Sequence, residues 1–111
     1  MPYDTQNVFG KILRGEIPCT PVYEDEHVLA FLDIAPQAPV HVLVIPKCEA
    51  ISFDDFVTKP PSDVIAFFTA VRTVAHHLGL QESGYRLVMN HGDDGGQEVA
   101  HFHVHILGGK I

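Results

Sequence analysis

The stretch HFHVHILGG (residues 101–109) places three histidines and three apolar residues in strict alternation. Successive side chains of a β-strand point to opposite faces, so residues two apart share a face and lie roughly 6.6–7 Å from each other. We therefore expect Phe102, Val104 and Ile106 to enter a core, and His101, His103 and His105 to line the opposite, open face. Imidazole, with an unperturbed pKa of about 6.5, suits proton transfer and nucleophilic attack near neutral pH. The strand predicts a reaction surface.

The segments around this strand predict a small α+β protein. The 111 residues fit one domain with one core, residues 1–111. Short connections between successive strands favour a mostly antiparallel sheet of five strands with two main helices packed on one side. Helices are predicted over 7–14, after a capping box at Ser52, and from Ser62 or Asp63 to Leu78, and strands at 21–24, 27–34, 41–46, 85–90 and 99–107.

Two features favour an isologous dimer. Strand 85–90 carries apolar residues on both faces, and at a sheet edge it would be an open template for pairing. On the long helix, Phe67 falls beside the main apolar stripe and adds surface that one small core does not readily cover. That stripe is predicted to contain Val64, Ile65, Phe68, Val71, Ala75 and Leu78.

Composition argues against several classes of partner. With 14 acidic and 7 basic residues the net charge is −7, which disfavours a general nucleic-acid surface. No apolar run approaches the roughly 20 residues of a membrane span, and the N-terminal stretch lacks the apolar core of a signal peptide. Cys19 and Cys48 are then expected to be reduced thiols in a cytoplasmic protein.

The loop NHGDDGGQ (residues 90–97) precedes the histidine strand. Its three glycines allow positive φ and close approach of the backbone, so successive N–H groups can form a concavity that binds phosphate. The alternative is a flexible hairpin connection, but the nearby histidines favour the phosphate site. Asp93 and Asp94 are expected to point outward. His27, His76 and His77 are interpreted as surface residues.

Metal binding is the main chemical alternative for the three histidines. On a nearly straight strand the outer two would lie about 13 Å apart, too far to share one ion. Neither cysteine belongs to a C-x-x-C pair. The pattern therefore favours nucleophilic or acid–base catalysis without a metal or other cofactor. His41, at the start of an apolar strand, is either a structural or a functional histidine.

Four motifs together resemble the histidine triad (HIT) nucleotide-binding proteins, in particular the Hint branch. They are FGKILRGEIP (9–18), LAFLDIAPQAPVHVLVIPK (29–47), YRLVMNHGDDGGQEV (85–99) and HFHVHILGGK (101–110). The resemblance implies a homodimer with one continuous ten-stranded sheet. It also implies hydrolysis of purine nucleoside phosphoramidates, typically AMP joined to an amine, through a nucleotidyl-histidine intermediate.

The resemblance implies a role for particular residues. The nucleophile maps onto His103, His105 would contact the phosphate, the His101 carbonyl would fix the tautomer of His103, and His41 matches a fourth family histidine. Substrate-binding positions map onto Asp33 and Ile34 for ribose and base, onto Val8, Phe9, Ile12 and Phe31 for the base pocket, and onto Asn90, Gly96, Gln97 and Glu98 for the phosphate and leaving group.

Two departures from the Hint pattern concern leaving group and metal. Glu98 stands where Hint proteins carry a serine, which can alter the choice of leaving group. Glu49 replaces the histidine often found in the family's PKxH motif, and the N-terminal cysteines of zinc-containing relatives are missing, so no zinc site is expected. The alternatives are a dinucleoside polyphosphate hydrolase of the same superfamily and a nucleotide-binding interaction protein with incidental hydrolysis.

Overall fold

The computed structural model describes residues 2–110, which form a five-stranded antiparallel sheet with strand order β1-β2-β3-β5-β4. The predicted α+β architecture is confirmed. The elements are α1 (Val8–Leu13), β1 (Pro21–Glu24), β2 (Val28–Leu32), β3 (Val40–Pro46), α2 (Phe53–Phe56), α3 (Pro61–His77), β4 (Tyr85–Val88) and β5 (Val104–Gly108).

The main core lies between one face of the sheet and α3. Phe102, Val104 and Ile106 are at most 1% exposed and belong to it, as the alternation predicted. The other face of β2 and β3 packs with Phe9 of α1 in a second cluster, which contains Phe31. The two central strands are therefore apolar on both faces, and the second cluster supports the open side of the sheet.

The long helix begins two or three residues earlier than predicted and faces the sheet along a different line. Pro60 is its N-cap and Pro61 its first residue, a position where the fixed φ of proline suits the helix and its missing N–H is not needed. The predicted caps Ser62 and Asp63 are therefore inside the helix.

The predicted stripe of α3 was wrong in two positions. Phe67 is 1% exposed and part of the core, whereas Ile65 is 68% exposed. The buried line follows helical spacing from Phe67 instead, and it comprises Phe67, Ala70, Val71, Val74 and Ala75. Phe67 therefore supplies no surplus apolar surface for a dimer.

The histidine strand is shorter than the predicted range 99–107. β5 begins at Val104, opposite Val44, so only one of the three histidines lies within the sheet. Pro46 ends β3 and has no N–H to offer a partner strand. The N–H of Phe102 instead donates to the carbonyl of Ala50 at 2.8 Å. Residues 101–103 therefore leave the sheet ladder.

Two other strands end early because side chains redirect the backbone. β2 stops at Leu32, and the carboxylate of Asp33 then accepts a hydrogen bond from the N–H of Ala35 at 2.7 Å. β4 stops at Val88, and the side-chain amide of Asn90 then donates across the following loop to the carbonyl of Gly95 at 2.7 Å. In residues 2–110 no helix is long and apolar enough to cross a membrane.

Candidate active site

A cleft of about 420 Å³ opens on the side of the sheet away from α3, next to α1 and the glycine-rich loop. It brings together most of the predicted polar site residues. Its lining comprises Phe9, Asp33, Ala35, Gln37, His41, Leu43, Asn90, Gly96, Glu98, Val99, His103 and His105.

His101 lies beneath the cleft, so its predicted position on the open face was wrong. The side chain is 1% exposed. Its Nε2 lies 2.8 Å from the carbonyl oxygen of Pro46, and its Nδ1 lies 2.5 Å from the hydroxyl of Tyr3. Because a carbonyl only accepts, Nε2 carries the hydrogen, and the Tyr3 hydroxyl donates to Nδ1. Burial lowers the pKa of His101 to about 4, so the ring is neutral near pH 7.

His103 faces the cleft with one ring nitrogen free. Its Nδ1–H donates to the carbonyl oxygen of His101 at 2.7 Å. The hydrogen of the neutral ring is thus on Nδ1, which leaves a lone pair on Nε2. Burial lowers the pKa of His103, although the His101 carbonyl and the carboxylates of Asp33 and Glu98 act in the opposite direction. The rings of Phe9 and His103 pack edge to face at a centroid distance of 4.9 Å.

His105 has the opposite tautomer, set by a chain of two hydrogen bonds. The backbone N–H of Gln37 donates to Nδ1 of His41 at 3.0 Å, so the hydrogen of His41 is on Nε2. That Nε2 lies 2.9 Å from Nδ1 of His105, which accepts. His105 therefore keeps its hydrogen on Nε2. Burial and then the neighbouring histidines lower the pKa of His105 to about 4.

The two adjacent rings consequently offer complementary groups. His103 presents a lone pair and His105 presents an N–H donor, and their ring centroids are 5.1 Å apart. A nucleophile next to a donor for an anionic oxygen can carry out substitution at phosphorus. The tautomers of His103 and His105 do not depend on a solvent-exposed side chain. The hydrogen bonds that set them end on backbone groups, the carbonyl of His101 and the N–H of Gln37.

Asp33, His41 and His105 present possible ligand atoms within 4.8 Å of one another. The hydrogen-bond chain nevertheless opposes a cation there. The Nε2 of His41 carries a hydrogen and lies 3.4 Å from Oδ2 of Asp33, so it is a donor instead of a ligand. Ligation would require the other tautomer of His41 and loss of its bond from Gln37. These three residues fit a hydrogen-bond relay better than a metal.

The glycine-rich loop is shaped by close backbone approach. Gly92 and Gly96 have φ of +69° and +76°. A Cβ on Gly95 would lie 2.3 Å from the carbonyl oxygen of His91, so only glycine fits without a backbone shift. Gly96 reaches the cleft, whereas Asp93 and Asp94 are exposed, as predicted.

Gln97 supports this loop instead of lining the cleft. Its Oε1 accepts from the N–H of Gly92 at 3.0 Å, and its Nε2 donates to the carbonyls of Ile51 and Val99 at 2.7 and 2.9 Å. Both ends of the amide are thus hydrogen-bonded within the protein, and the structure does not bring the Gln97 side chain to the cleft lining where it was predicted.

The structure brings only part of the predicted apolar pocket to the cleft. Phe9 lines the cleft, whereas Ile12 and Phe31 lie behind it in the second cluster. Val8 does not line the cleft, and Ile34 is fully exposed. The remaining apolar lining includes Leu43 and Val99, which the sequence reasoning missed. For Leu43 a signal was available, because it shares a strand face with His41 two residues earlier.

The sequence profile of the HIT domain matches residues 14–111. The chain belongs to the HIT family.

The relatives agree over most of their length. An uncharacterized HIT-like protein of Rickettsia prowazekii (strain Madrid E) is 49% identical over 97% of this chain and 91% of its own. The purine nucleoside phosphoramidase of Escherichia coli (strain K12) is 43% identical over 95% of this chain and 88% of its own. Among solved structures, a HIT family hydrolase from Legionella pneumophila Philadelphia 1 has a TM-score of 0.88 and 45% identity, covering 94% of this chain and 93% of its own.

Proposed function

We propose that this protein hydrolyses purine nucleoside phosphoramidates of the AMP-amine type. The observation that carries the proposal is the free Nε2 lone pair of His103 beside the Nε2–H of His105. Nε2 of His103 attacks the α-phosphorus, the new N–P bond forms, and the bond from phosphorus to the amine breaks. The amine nitrogen takes one proton from solvent as it leaves, and the later attack of water on the nucleotidyl-histidine returns that proton. Water then hydrolyses the nucleotidyl-histidine and releases AMP.

The other cleft residues bind and orient the substrate in this scheme. His105 donates to a phosphate oxygen and is held by His41. Asn90 and Gly96 border the phosphate, Asp33 contacts the ribose, and Phe9 packs on the base together with the apolar side chains that line the same end of the cleft. The net charge of −7 repels an anionic nucleotide at long range. In this scheme the imidazole and backbone N–H donors of the cleft hold the nucleotide locally.

The charges of the cleft favour an amine over a phosphate leaving group. Among the described residues that line it, the formal charges come from Asp33 and Glu98, with no lysine or arginine. The amine nitrogen is positively charged when it is protonated and still bonded to phosphorus, and a nearby carboxylate stabilises that charge as the bond breaks. A polyphosphate leaving group would instead bring further negative charge towards Glu98 without a basic side chain to offset it.

A turnover assay with adenosine 5′-phosphoramidate and diadenosine polyphosphates tests the proposal. We expect kcat/KM to be higher for the phosphoramidate, and the activity to survive exhaustive chelation because the scheme uses no metal. Faster cleavage of the polyphosphates would make the protein a dinucleoside polyphosphate hydrolase. Tight nucleotide binding without turnover of either substrate would make it a binding protein.

Glu98→Gln should reduce the preference for the phosphoramidate over the diadenosine polyphosphates. Removing the carboxylate charge should lower the ratio of the two kcat/KM values by about tenfold, equivalent to about 1.4 kcal/mol. Glu82→Gln is the matched control, since Glu82 is exposed and outside the cleft lining. An unchanged ratio in the Glu98 variant would remove the carboxylate from the selection of the leaving group.

We also propose that two copies associate through β4. This strand lies at the edge of the sheet, and Leu87 and the adjacent Met89 are 44% and 42% exposed. An apolar edge strand pairs readily with a second copy. Light scattering at micromolar concentration should give twice the 12.2 kDa chain mass. Leu87→Lys should lower the measured mass towards that of a single chain. A wild-type monomer would contradict the dimer.

A further inference from the structure

The segment before α1 reaches the hidden side of the histidine cluster through Tyr3. Its hydroxyl lies 2.5 Å from Nδ1 of His101, although the two residues are 98 positions apart in sequence. The two rings meet edge to face with centroids 5.6 Å apart. Tyr3 does not line the cleft and takes no part in the chemistry proposed above.

We propose that Tyr3 is a positioning residue for His103, acting through His101. The Tyr3 hydroxyl holds the His101 ring, and the His101 carbonyl in turn holds Nδ1–H of His103. This inference deepens the proposed function and rests on it, because the geometry it fixes is that of the attacking nitrogen.

The argument begins with the two ring nitrogens of His101. Pro46 occupies Nε2, so Nδ1 has a lone pair that needs a donor. The ring is 1% exposed, and Tyr3 supplies that donor. Without the hydroxyl, Nδ1 becomes a buried acceptor with no partner, which is costly in a low-dielectric interior. Moving the hydrogen to Nδ1 does not repair this, because Nε2 would then face the Pro46 carbonyl lone pair to lone pair.

The consequence for His103 follows from the backbone. When the His101 ring is held at both nitrogens, its main chain is fixed between the N-terminal segment and the end of β3. The carbonyl of that residue lies 2.7 Å from Nδ1 of His103. A shift of the His101 ring therefore redirects the His101 carbonyl, and with it the Nε2 lone pair of His103. Small errors in the line of attack lower the rate steeply.

Gly10 leaves the space that the Tyr3 hydroxyl occupies. A Cβ at Gly10 would lie 3.2 Å from that hydroxyl oxygen, 3.2 Å from Nδ2 of Asn7 and 3.3 Å from the carbonyl oxygen of Thr5. Burial raises the pKa of Tyr3, so the hydroxyl remains a donor over the neutral range. The helix α1 is thus built to admit the donor.

Tyr3→Phe removes the hydroxyl and keeps the ring. Its matched control is Tyr23→Phe on β1, which removes a hydroxyl that donates to Asp25 outside the cleft lining. With adenosine 5′-phosphoramidate we expect kcat of Tyr3→Phe to fall about 10- to 100-fold with KM little changed. The Tyr23 variant should retain both constants, although it loses the same atom.

Nitrogen-15 NMR of the imidazoles gives a readout that does not depend on activity. In the wild type, His101 should show hydrogen on Nε2 and His103 on Nδ1. In Tyr3→Phe we expect the His101 signals to shift and the His103 tautomers to mix. This measurement separates the positioning role of Tyr3 from the proposed hydrolysis. A wild type that hydrolyses no phosphoramidate refutes the proposed function, while the spectra still test whether Tyr3 fixes the tautomers of His101 and His103.

Gly10→Ala provides a second variant if Tyr3→Phe does not fold. It retains the hydroxyl but crowds it by a few tenths of an ångström, so kcat should fall in the same direction by a smaller factor. A Tyr3→Phe protein with normal kcat and unchanged imidazole spectra would overturn the proposal. So would equal losses of kcat in the Tyr3 and Tyr23 variants, and normal kcat and spectra in Gly10→Ala when Tyr3→Phe fails to fold.

Discussion

His103→Ala is expected to bind nucleotide normally and to lose hydrolysis by several orders of magnitude. The substitution removes the lone pair that faces the cleft and leaves the donor of His105 in place. Binding groups alone give little acceleration once the nucleophile is gone, so the loss should appear in kcat and not in KM. Steady-state kinetics with adenosine 5′-phosphoramidate and calorimetric titration with AMP measure the two effects separately.

The control for this variant is His27→Ala, since His27 is exposed and lies outside the cleft lining. It should leave kcat unchanged. Acid-free quenching of the wild type during turnover, followed by peptide mass spectrometry, should place a nucleotidyl group on His103. A His103→Ala protein with near-normal turnover, or an adduct on His105 instead, would refute the assignment of the nucleophile.

The alternation in residues 101–109 predicted the core side of this segment correctly but not its extent. Burial of Phe102, Val104 and Ile106 follows from the period of two. The start of β5 depends on where β3 ends, at Pro46, which is 58 positions from Val104 in the sequence, whereas Val104 itself pairs with Val44 in the folded sheet. A local pattern does not report which partner strand runs out of donors first. The predicted strand therefore continued through His101 and His103.

The polar part of the site was more predictable than its apolar lining. His41, His103 and His105 meet at the cleft because each faces the same side of the sheet. The tautomers were accessible only from the fold, since they depend on the backbone N–H of Gln37 and the carbonyl of His101. Tyr3 gave no signal in the sequence, because its partner is brought to it by the tertiary structure.

The apolar lining depends on which residues of α1 and β3 remain uncovered. Phe31 and Ile12 have the right character but are already packed in the second cluster, so they support the cleft from behind. Ile34 follows the turn made by Asp33 and projects fully into solvent. Hydrophobicity alone does not distinguish a residue that lines a cavity from one that fills the space beneath it.

Phe102→Ala is expected to produce the largest loss of stability. Phe102 is 1% exposed and stacks on Phe56, with ring centroids 4.6 Å apart and an interplanar angle of 9°. It also packs against Phe67, with ring centroids 5.4 Å apart. Truncation of such a residue costs about 3–5 kcal/mol from lost burial and the remaining cavity. Urea unfolding should show the loss, and for a domain of this size Tm should fall by more than about 10 °C.

The matched control is Phe53→Ala, because Phe53 is 39% exposed on α2 and its truncation should cost about 1 kcal/mol or less. The two variants should also differ in activity below their midpoints. Phe102 lies between His101 and His103, so a collapsing cavity moves both the carbonyl that fixes the tautomer and the ring that attacks. We expect kcat of folded Phe102→Ala to fall, whereas Phe53→Ala keeps the wild-type value. Full kcat in folded Phe102→Ala would mean that the hydrogen bonds of the cluster hold the attacking ring without support from the core.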